Sequence, residues 1–176
     1  MLKSWLLIIF LGLSGCLNSN RIGDLEYIDS GVTVETCDTT GRGVIIGPDE
    51  VLTIGHVIKK HTGCSVDGKP ARVVKWIVDH QTETGEDGLV LLKTQDKIFG
   101  PERIAKISKR VTQGYIYLSQ RGVELWPCGL RPGDSGSPIL NDKGEVIGLV
   151  RAVYGQAEFL DQEVLNKNEK LNNMQK

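Results

Sequence analysis

The sequence lacks an excess of charge of either sign. Lysine and arginine together number 21, and aspartate and glutamate number 22, so the 176 residues carry a net charge of −1. No block of basic side chains interrupts this balance, whereas nucleic-acid-binding proteins concentrate positive charge on one face. We therefore expect no nucleic acid as a partner.

The sequence also lacks the residue spacings that bind metal ions. It has four cysteines and three histidines, but no C-x-x-C pair, and His56, His61 and His80 form no cluster with the cysteines. Structural zinc sites take four such ligands from short, repeated spacings. We expect no metal site.

No apolar run of the sequence is long enough to span a bilayer as a helix. The longest lies at residues 5–13, behind the positive Lys3, and is followed by Ser14, Gly15 and Cys16. Small residues before a cysteine, directly after an apolar segment, resemble the lipobox of bacterial lipoproteins. The resemblance implies a signal peptide at 1–15, cleavage before Cys16 and acylation of Cys16. The alternative is an ordinary signal peptide that is cut nearby.

A lipid on Cys16 has a consequence for location. Several acyl chains on one residue give stable attachment to a lipid bilayer. Residues 16–30 are polar and rich in turn formers, which is typical of a tether. We therefore expect a lipid-anchored, extracytoplasmic protein of the cell envelope, at the outer membrane or the cell surface.

The centre of the chain consists of short β-branched runs separated by glycine, aspartate and proline, the pattern of strands and turns. Six such runs predict a small closed barrel, with strands at 31–37, 43–46, 51–54, 64–66, 71–79 and 89–93. Five more predict a second set of strands, at 104–107, 115–119, 123–126, 136–140 and 145–152. The stretch 95–103 is the expected linker.

The end of the chain has a different pattern. Leu160, Val164, Leu165 and Leu171 fall at helical spacings, and no glycine or proline interrupts them. This predicts a carboxy-terminal helix or tail at 158–176 that packs on the body of the protein. A helix that binds a partner is the alternative.

Three segments carry residues with catalytic chemistry. An apolar run from Val51 leads into His56, Asp87 opens another apolar run, and a tight glycine turn carries Ser135. Each segment alone has an ordinary structural explanation. A histidine after a strand is usually structural, and an aspartate before a strand is usually a turn residue.

Together, in the order His, Asp, Ser, these segments resemble the chymotrypsin-like (trypsin-like) serine protease family. The run V-L-T-I-G-H, ending at His56, is similar to that family's V-L-T-A-x-H motif. Residues 133–138 match its G-D-S-G-[GS]-P signature at every position. The strand after Asp87 is similar to its D-x-A-L-L motif, with Gly88 and Val90 as departures.

The resemblance covers about residues 31–153 and implies an all-β fold of two small packed antiparallel β-barrels. The protease domain would span 31–157, with barrel one at about 31–95 and barrel two at about 103–153. Only 48 positions separate Asp87 from Ser135, so the second barrel must be shortened. Substrate specificity is obscure, because the family's pocket-base position falls on the uncharged Gly129.

The resemblance also assigns roles to the catalytic residues. An alcohol is a weak nucleophile near neutral pH, so Ser135 needs His56 as a general base, and Asp87 would orient the imidazole. The backbone N–H groups of Gly133 and Ser135 would form the oxyanion hole. The implied activity is hydrolysis of protein or peptide substrates through an acyl-enzyme, without a cofactor. Asp79 and Glu86 are competing acids for the third position.

A catalytically silent protease-fold module that binds a peptide or a partner protein is the alternative function. It would have no need of all three catalytic groups, and the sequence retains all three. The α/β-hydrolase fold is excluded, because the sequence has no G-x-S-x-G elbow and places its serine after the acid and the base.

Two further expectations come from the resemblance. Many members of the family bridge a cysteine before the glycine-rich strand to one after the histidine, which implies a Cys37–Cys64 disulfide here. In activated members the acid before the serine pairs with a freed amino terminus. We expect Asp134 to be satisfied instead by an internal donor such as Arg131. The alternative is activation by cleavage between Arg21 and Ile22.

Overall fold

A computed structural model describes residues 26–59, 63–80, 87–110, 112–152 and 156–160. The predicted signal peptide, Cys16 and most of the tether lie outside the described residues, so their predictions stay predictions. Within the described ranges, no helix is both long enough and apolar enough to cross a membrane.

The first half of the molecule is a closed six-stranded antiparallel barrel. Its strands are β1 (Gly31–Glu35), β2 (Thr40–Ile45), β3 (Glu50–Ile54), β4 (Gly63–Val66), β5 (Lys69–His80) and β6 (Asp87–Thr94), with a single helical turn, α1 (Gly55–Ile58), after β3. Their order around the barrel is β1-β2-β3-β6-β5-β4. Pairing of β1 with β4, with Val34 opposite Val66, closes the barrel as the sequence predicts.

The second half is a five-stranded antiparallel sheet in the order β11-β10-β9-β7-β8. Its strands are β7 (Ile116–Ser119), β8 (Gly122–Leu125), β9 (Pro138–Leu140), β10 (Val146–Ala152) and β11 (Gln156–Phe159). This confirms the predicted all-β fold class: a closed six-stranded barrel is followed by a second antiparallel sheet where the sequence predicts a shortened second barrel.

Two hydrophobic clusters divide the side chains of the central strands β3 and β6. Val51 and Val90 point into the barrel, while Leu52, Ile54 and Leu89 point out of it and pack against the second half. All five are nearly inaccessible to solvent, and burial of each such side chain contributes roughly 1.5–3 kcal/mol. Strands buried on both faces explain why these segments read as continuous apolar runs.

The strand predicted at 104–107 is wrong. A 3-10 turn at Pro101–Arg103 precedes this stretch, and Ile107 forms only an isolated bridge with Val146. Its backbone instead bonds to both halves: Ala105 N–H donates to the Ile45 carbonyl at 2.9 Å, and Val146 N–H donates to the Lys106 carbonyl at 2.8 Å. The stretch is therefore a linker that belongs to neither sheet.

The helix predicted from residue 158 also needs correction at its start. Gln156–Phe159 form β11, which pairs with β10 so that Glu158 lies opposite Leu149. Leu160, taken from the sequence as part of the helix stripe, is buried in the core. The backbone of β10 has hydrogen-bonding groups on this side, and an extended partner satisfies them. Residues 161–176 lie outside the described residues.

Candidate active site

His56 lies where the chain leaves β3 and enters the single turn α1. Val57 and Ile58 are buried among the side chains that fill the barrel, and they anchor the turn from inside. Thr39 Oγ1 donates a 2.6 Å hydrogen bond to the Val57 carbonyl and fixes the turn from outside. His56 itself is half-buried, so part of its surface is accessible to solvent.

The register of β3 and β6 places Asp87 at the same end of the barrel as His56. Ile54 lies opposite Leu89 in this antiparallel pair. His56 comes two residues after Ile54, and Asp87 comes two residues before Leu89, so both residues leave the paired region at one edge. The side chain of Asp87 lies outside what the structure describes, and its contact with His56 stays a prediction.

Asp79 and Glu86, the other candidates for the orienting acid, do not lie on the strand that pairs with β3 in the described residues. Asp79 lies on β5 opposite Gly88, next to the pair formed by His80 and Asp87. Its backbone is therefore close to Asp87, on the strand that is not paired with β3. Glu86 lies outside the described residues. The strand that carries Asp87 is paired directly with the strand that leads into His56, which favours Asp87 as the orienting acid.

Ser135 occupies a tight turn before β9. Some of the backbone N–H groups of this turn donate hydrogen bonds within the protein, and others have no described acceptor. Asp134 N–H donates to the Arg131 carbonyl at 3.0 Å, Ser137 N–H donates to the Asp134 carbonyl at 2.9 Å, and Gly136 N–H donates to Val150. Among the described residues, none accepts a hydrogen bond from the N–H of Gly133 or of Ser135. The predicted role of these two N–H groups as an oxyanion hole stays a prediction.

The Ser135 turn docks onto β2 of the first half. The N–H of Arg42 donates a 2.7 Å hydrogen bond to the Ser135 carbonyl, and Thr53 Oγ1 donates a 2.6 Å hydrogen bond to the Arg42 carbonyl. Gly136 has a φ of 88°, and a Cβ on it would collide with that same carbonyl of Arg42. Glycine is required here both for its backbone conformation and for the close approach.

Gly41 is the point at which the His56 and Ser135 segments meet. A Cβ on Gly41 would lie 2.6 Å from a methyl group of Val57 and 2.9 Å from the Ser135 carbonyl oxygen. Val57, the neighbour of His56, and the backbone of Ser135 therefore both pack against the Cα of Gly41, where there is no room for a side chain. Sequence reasoning missed Gly41 and Arg42, although a glycine inside a strand is a known signal of close backbone approach.

Asp134 is 1% exposed and has four donors around its carboxylate. Arg121 Nη2 donates to Oδ2 at 3.0 Å and Nη1 donates to Oδ1 at 3.4 Å, while the Tyr117 hydroxyl and the Arg131 N–H reach Oδ2 at 3.3 and 2.8 Å. The expectation of an internal donor is correct, and Arg131 contributes through its backbone. The guanidinium comes from Arg121, which sequence reasoning missed.

Charge and burial shift the pKa values in this cluster. Hydrogen bonds to Asp134 and then to Glu124 raise the pKa of Arg121 above its ordinary value, so its positive charge is secure. Burial, followed by the negative charge of Asp134, raises the pKa of Tyr117 to about 12. Tyr117 is therefore a neutral hydrogen-bond donor over the whole range in which a protease works.

Gly129, which the resemblance places at the pocket base, lies next to charged side chains. It has a φ of 73°, and a Cβ on it would lie 3.0 Å from Glu124 Oε2. Arg121 donates to the Gly129 carbonyl at 3.3 Å and to Glu124 Oε1 at 2.8 Å.

In the described part of the chain, no three His, Cys, Asp or Glu side chains are grouped so as to hold a metal ion.

The predicted Cys37–Cys64 disulfide is wrong, because the structure holds both residues as thiols. Cys37 lies in the exposed turn beyond the end of β1, whereas Cys64 packs partly against the side chains that fill the barrel. Burial raises the pKa of the Cys64 thiol to about 11.

Solved structures that share this arrangement of a barrel and a second sheet are chymotrypsin-like serine proteases. A Glu endopeptidase superposes with a TM-score of 0.60 at 13% identity, over 85% of this chain and 93% of its own. Rv3671c from M. tuberculosis, in an inactive form, gives 0.57 at 17% identity, over 82% and 88%. The human astrovirus serine protease gives 0.56 at 18% identity, over 78% and 94%.

The superpositions show a shared fold, and at such low sequence identity they show the fold alone. No protein-family model matches the chain, and no curated protein matches it.

Proposed function

We propose that the chain is a serine endopeptidase that hydrolyses peptide bonds through an acyl-enzyme. The observation that supports this best is the meeting of two segments at Gly41, where Val57 and the Ser135 carbonyl pack together. This contact brings the residue after His56 and the backbone of Ser135 to one point, although the two lie in different halves.

In the proposed mechanism, Ser135 Oγ attacks the scissile carbonyl while His56 takes its proton. Asp87 accepts the other ring N–H of His56 and stabilises the imidazolium as it forms. The oxygen of the tetrahedral intermediate becomes negative, and the N–H groups of Gly133 and Ser135 would donate to it. His56 then protonates the leaving amine, and water releases the acyl group by the same steps in reverse.

The substrates in this proposal are proteins or peptides. The structural neighbours that carry the fold are serine proteases, and one is named a Glu endopeptidase.

We further propose that the protease is anchored to the cell envelope through an acylated Cys16, on the extracytoplasmic side. The proposal is supported by the lipobox-like residues that end at Cys16. Mass spectrometry of the amino-terminal peptide tests it, with an acylated Cys16 as the expected first residue. In fractionated cells the Cys16→Ser variant should leave the membrane fraction. A mature terminus elsewhere, or an unmodified Cys16, would contradict the anchor.

A fluorophosphonate probe tests the enzymatic proposal directly. The wild type should acquire one adduct at Ser135, and the Ser135→Ala and His56→Ala variants should acquire none. Ser137→Ala is the matched control, because Ser137 lies in the same turn and its buried Oγ has no hydrogen-bond partner among the described residues. A folded wild type that stays unlabelled would support the alternative, a silent module that binds a peptide or a partner protein.

A further inference from the structure

The chain enters the described structure beside the turn that joins β9 and β10. Gly144 in this turn has a φ of 71°, and a Cβ on it would lie 3.0 Å from the Cα of Tyr27 and would collide with the carbonyl oxygen of Glu26. The Tyr27 side chain packs against the hydrophobic cluster that joins the two halves. The first described residues are therefore fixed to the second half before the chain reaches β1.

This entry point and the proposed nucleophile lie at opposite ends of the β9–β10 pair. Ser135 comes just before β9, and the β9–β10 turn comes just after it. β10 then runs back along β9, so that Val150 accepts a 2.7 Å hydrogen bond from the N–H of Gly136, next to Ser135. The second half therefore has a catalytic edge at the Ser135 turn and an entry edge at the β9–β10 turn.

The first barrel has the same polarity. β1 begins at Gly31, which lies opposite Val44 near the end of β2, whereas Gly41 lies near the start of β2. Gly41 is the residue that meets the Ser135 carbonyl. The chain thus enters both halves at the edge that lies away from the proposed catalytic residues.

Exposed basic side chains surround the entry edge. The N–H of Val146 donates to the Lys106 carbonyl at 2.8 Å, and the N–H of Ser108 donates to the Val146 carbonyl at 2.9 Å. The segment 106–110 therefore lies beside the start of β10, directly after the β9–β10 turn. Four basic residues of these two segments are exposed to solvent: Lys106, Lys109, Arg110 and Lys143.

The acids near these basic side chains do not balance them. Within 106–110 and 141–145, Asp142 is the exposed acid, and Glu26 is exposed nearby. Glu145 is half-buried and accepts a 3.1 Å hydrogen bond from Asn141 Nδ2. That hydrogen bond, and also the positive charges of Lys143 and Lys106, hold the pKa of Glu145 below its usual value. The entry edge therefore carries an excess of positive charge.

The proposed anchor is attached to the same edge by a short connection. Ten peptide units separate Cys16 from Glu26, and a fully extended chain of that length reaches at most about 35 Å. A domain of this size is itself roughly 35 Å across. The catalytic edge could face the bilayer only if the connection ran around the whole body of the protein.

We propose that the entry edge, formed by the β9–β10 turn and the segment 106–110, faces anionic lipid head groups, and that the catalytic edge faces away from the bilayer. The inference rests on the proposed anchor at Cys16. Lysine and arginine side chains near a negatively charged membrane surface are attracted to it. The substrates are then proteins or peptides that reach Ser135 from the aqueous side, and not segments held against the bilayer.

The test uses the full acylated chain bound to preformed vesicles of phosphatidylcholine and phosphatidylglycerol, after mass spectrometry has shown the lipid on Cys16. Acetylation by a water-soluble reagent is compared at each lysine in vesicles and in detergent micelles. Lys106 and Lys143 should react about fivefold more slowly in the vesicles, because their ammonium groups lie near anionic head groups. Lys59, which follows the turn that carries His56, should react equally in both.

Charge reversal provides matched variants. Lys106→Glu together with Lys109→Glu should remove the protection of Lys143. Lys69→Glu together with Arg72→Glu changes the net charge equally at exposed positions of β5 and should keep that protection. Absence of protection at Lys143 in the wild type would overturn the inference, as would equal protection of every lysine. Protection of Lys143 that survives the first pair of substitutions would overturn it as well.

A second readout asks how far Ser135 lies from the bilayer. The soluble fluorophosphonate probe should label Ser135 in vesicles at the rate seen in detergent. The same group carried on a lipid head group through a short spacer should not label it in those vesicles. Labelling by the lipid-borne probe at the rate of the soluble probe would show that the catalytic edge faces the bilayer and would overturn the inference.

The proposals fail in different ways. If Cys16 carries no lipid, the anchor is wrong and the orientation falls with it. If the lipid is present and the soluble probe labels nothing, the proposed enzymatic function is wrong, and the acetylation pattern still decides the orientation. If the chain is acylated and labelled but its lysines react alike in vesicles and in detergent, only the orientation is wrong.

Discussion

The backbone N–H of Arg42 donates a 2.7 Å hydrogen bond to the carbonyl oxygen of Ser135. Arg42 belongs to β2 of the first barrel, and Ser135 belongs to the turn before β9 in the second half. The bond therefore crosses between the halves at the proposed nucleophile itself. Because the Arg42 carbonyl in turn accepts a hydrogen bond from the hydroxyl of Thr53, three residues before His56, Arg42 connects the His56 and Ser135 segments.

Replacement of Gly136 by alanine should disrupt this connection. The added Cβ would collide with the Arg42 carbonyl, and a side chain at a φ of 88° adds strain of about 1–3 kcal/mol. We expect fluorophosphonate labelling to fall by about 100-fold or more, together with a lower thermal unfolding temperature. Gly63→Ala is the control, since nothing lies within 4 Å of its Cβ position. A Gly136→Ala variant that labels like the wild type would show that the close approach is dispensable.

Replacement of Asp87 by asparagine should abolish most activity while leaving the fold intact. Loss of the orienting carboxylate leaves the histidine in the wrong tautomer, and in serine protease triads kcat then falls by about 10⁴-fold. Steady-state hydrolysis of a peptide substrate measures the effect. Asp79→Asn is the matched control, because its backbone lies one residue pair away on β5. If Asp79→Asn causes the larger loss, Asp79 is the orienting acid.

Cys64 should react slowly with alkylating reagents, and its rate should depend on pH. With a pKa of about 11, only about 0.1% of this thiol is ionised at pH 8, and the fraction rises about tenfold for each pH unit up to about pH 10. The exposed Cys37 provides the comparison, and mass spectrometry after timed iodoacetamide treatment without reductant measures both. A Cys37–Cys64 disulfide in that experiment would contradict the structure.

The same shift predicts the sign of a stability effect. The pKa of Cys64 is higher in the folded than in the unfolded chain, so its neutral thiol favours folding below the unfolded pKa. That contribution is lost as the pH rises through about 11. The Cys64→Ala variant should therefore show a weaker loss of stability than the wild type between about pH 9 and 11, measured by urea unfolding.

Arg21→Gln should leave protease activity unchanged. If Arg121 neutralises Asp134 in the intact chain, cleavage between Arg21 and Ile22 has no part to play in activation. Labelling rates of the variant and the wild type should agree, and intact-mass measurement of the labelled protein should show residues before Ile22. Activity that appears only with a terminus at Ile22 would contradict this and favour activation by cleavage.

The sequence is most informative where chemistry is concentrated in a short segment. The motifs around His56 and Ser135, and the barrel strands with their continuous apolar runs, predict the fold class because each depends on local residue types and spacing. The position of Arg121 against Asp134 depends on how a hairpin turn packs on a loop 13 residues away. No local pattern encodes such a contact.

The predictions that failed concern contacts between distant segments, which a local sequence pattern does not determine. The Cys37–Cys64 disulfide is implied by the resemblance to the protease family, yet the structure holds both residues as thiols. The strand at 104–107 has the right residue types, but its backbone bonds are divided between two sheets. Leu160 fits the apolar face of a helix and the end of an edge strand equally well. The structure shows the second arrangement, because the preceding residues pair with β10.

The linker has one consequence for how the molecule moves. Ala105 bonds to Ile45 in the first half, while the next residue, Lys106, bonds to Val146 in the second. Because two consecutive linker residues are hydrogen-bonded to different halves, the linker cannot act as a flexible hinge. The halves should tilt or slide only if these hydrogen bonds break. We therefore expect the two halves to keep a fixed relative orientation on either side of this linker.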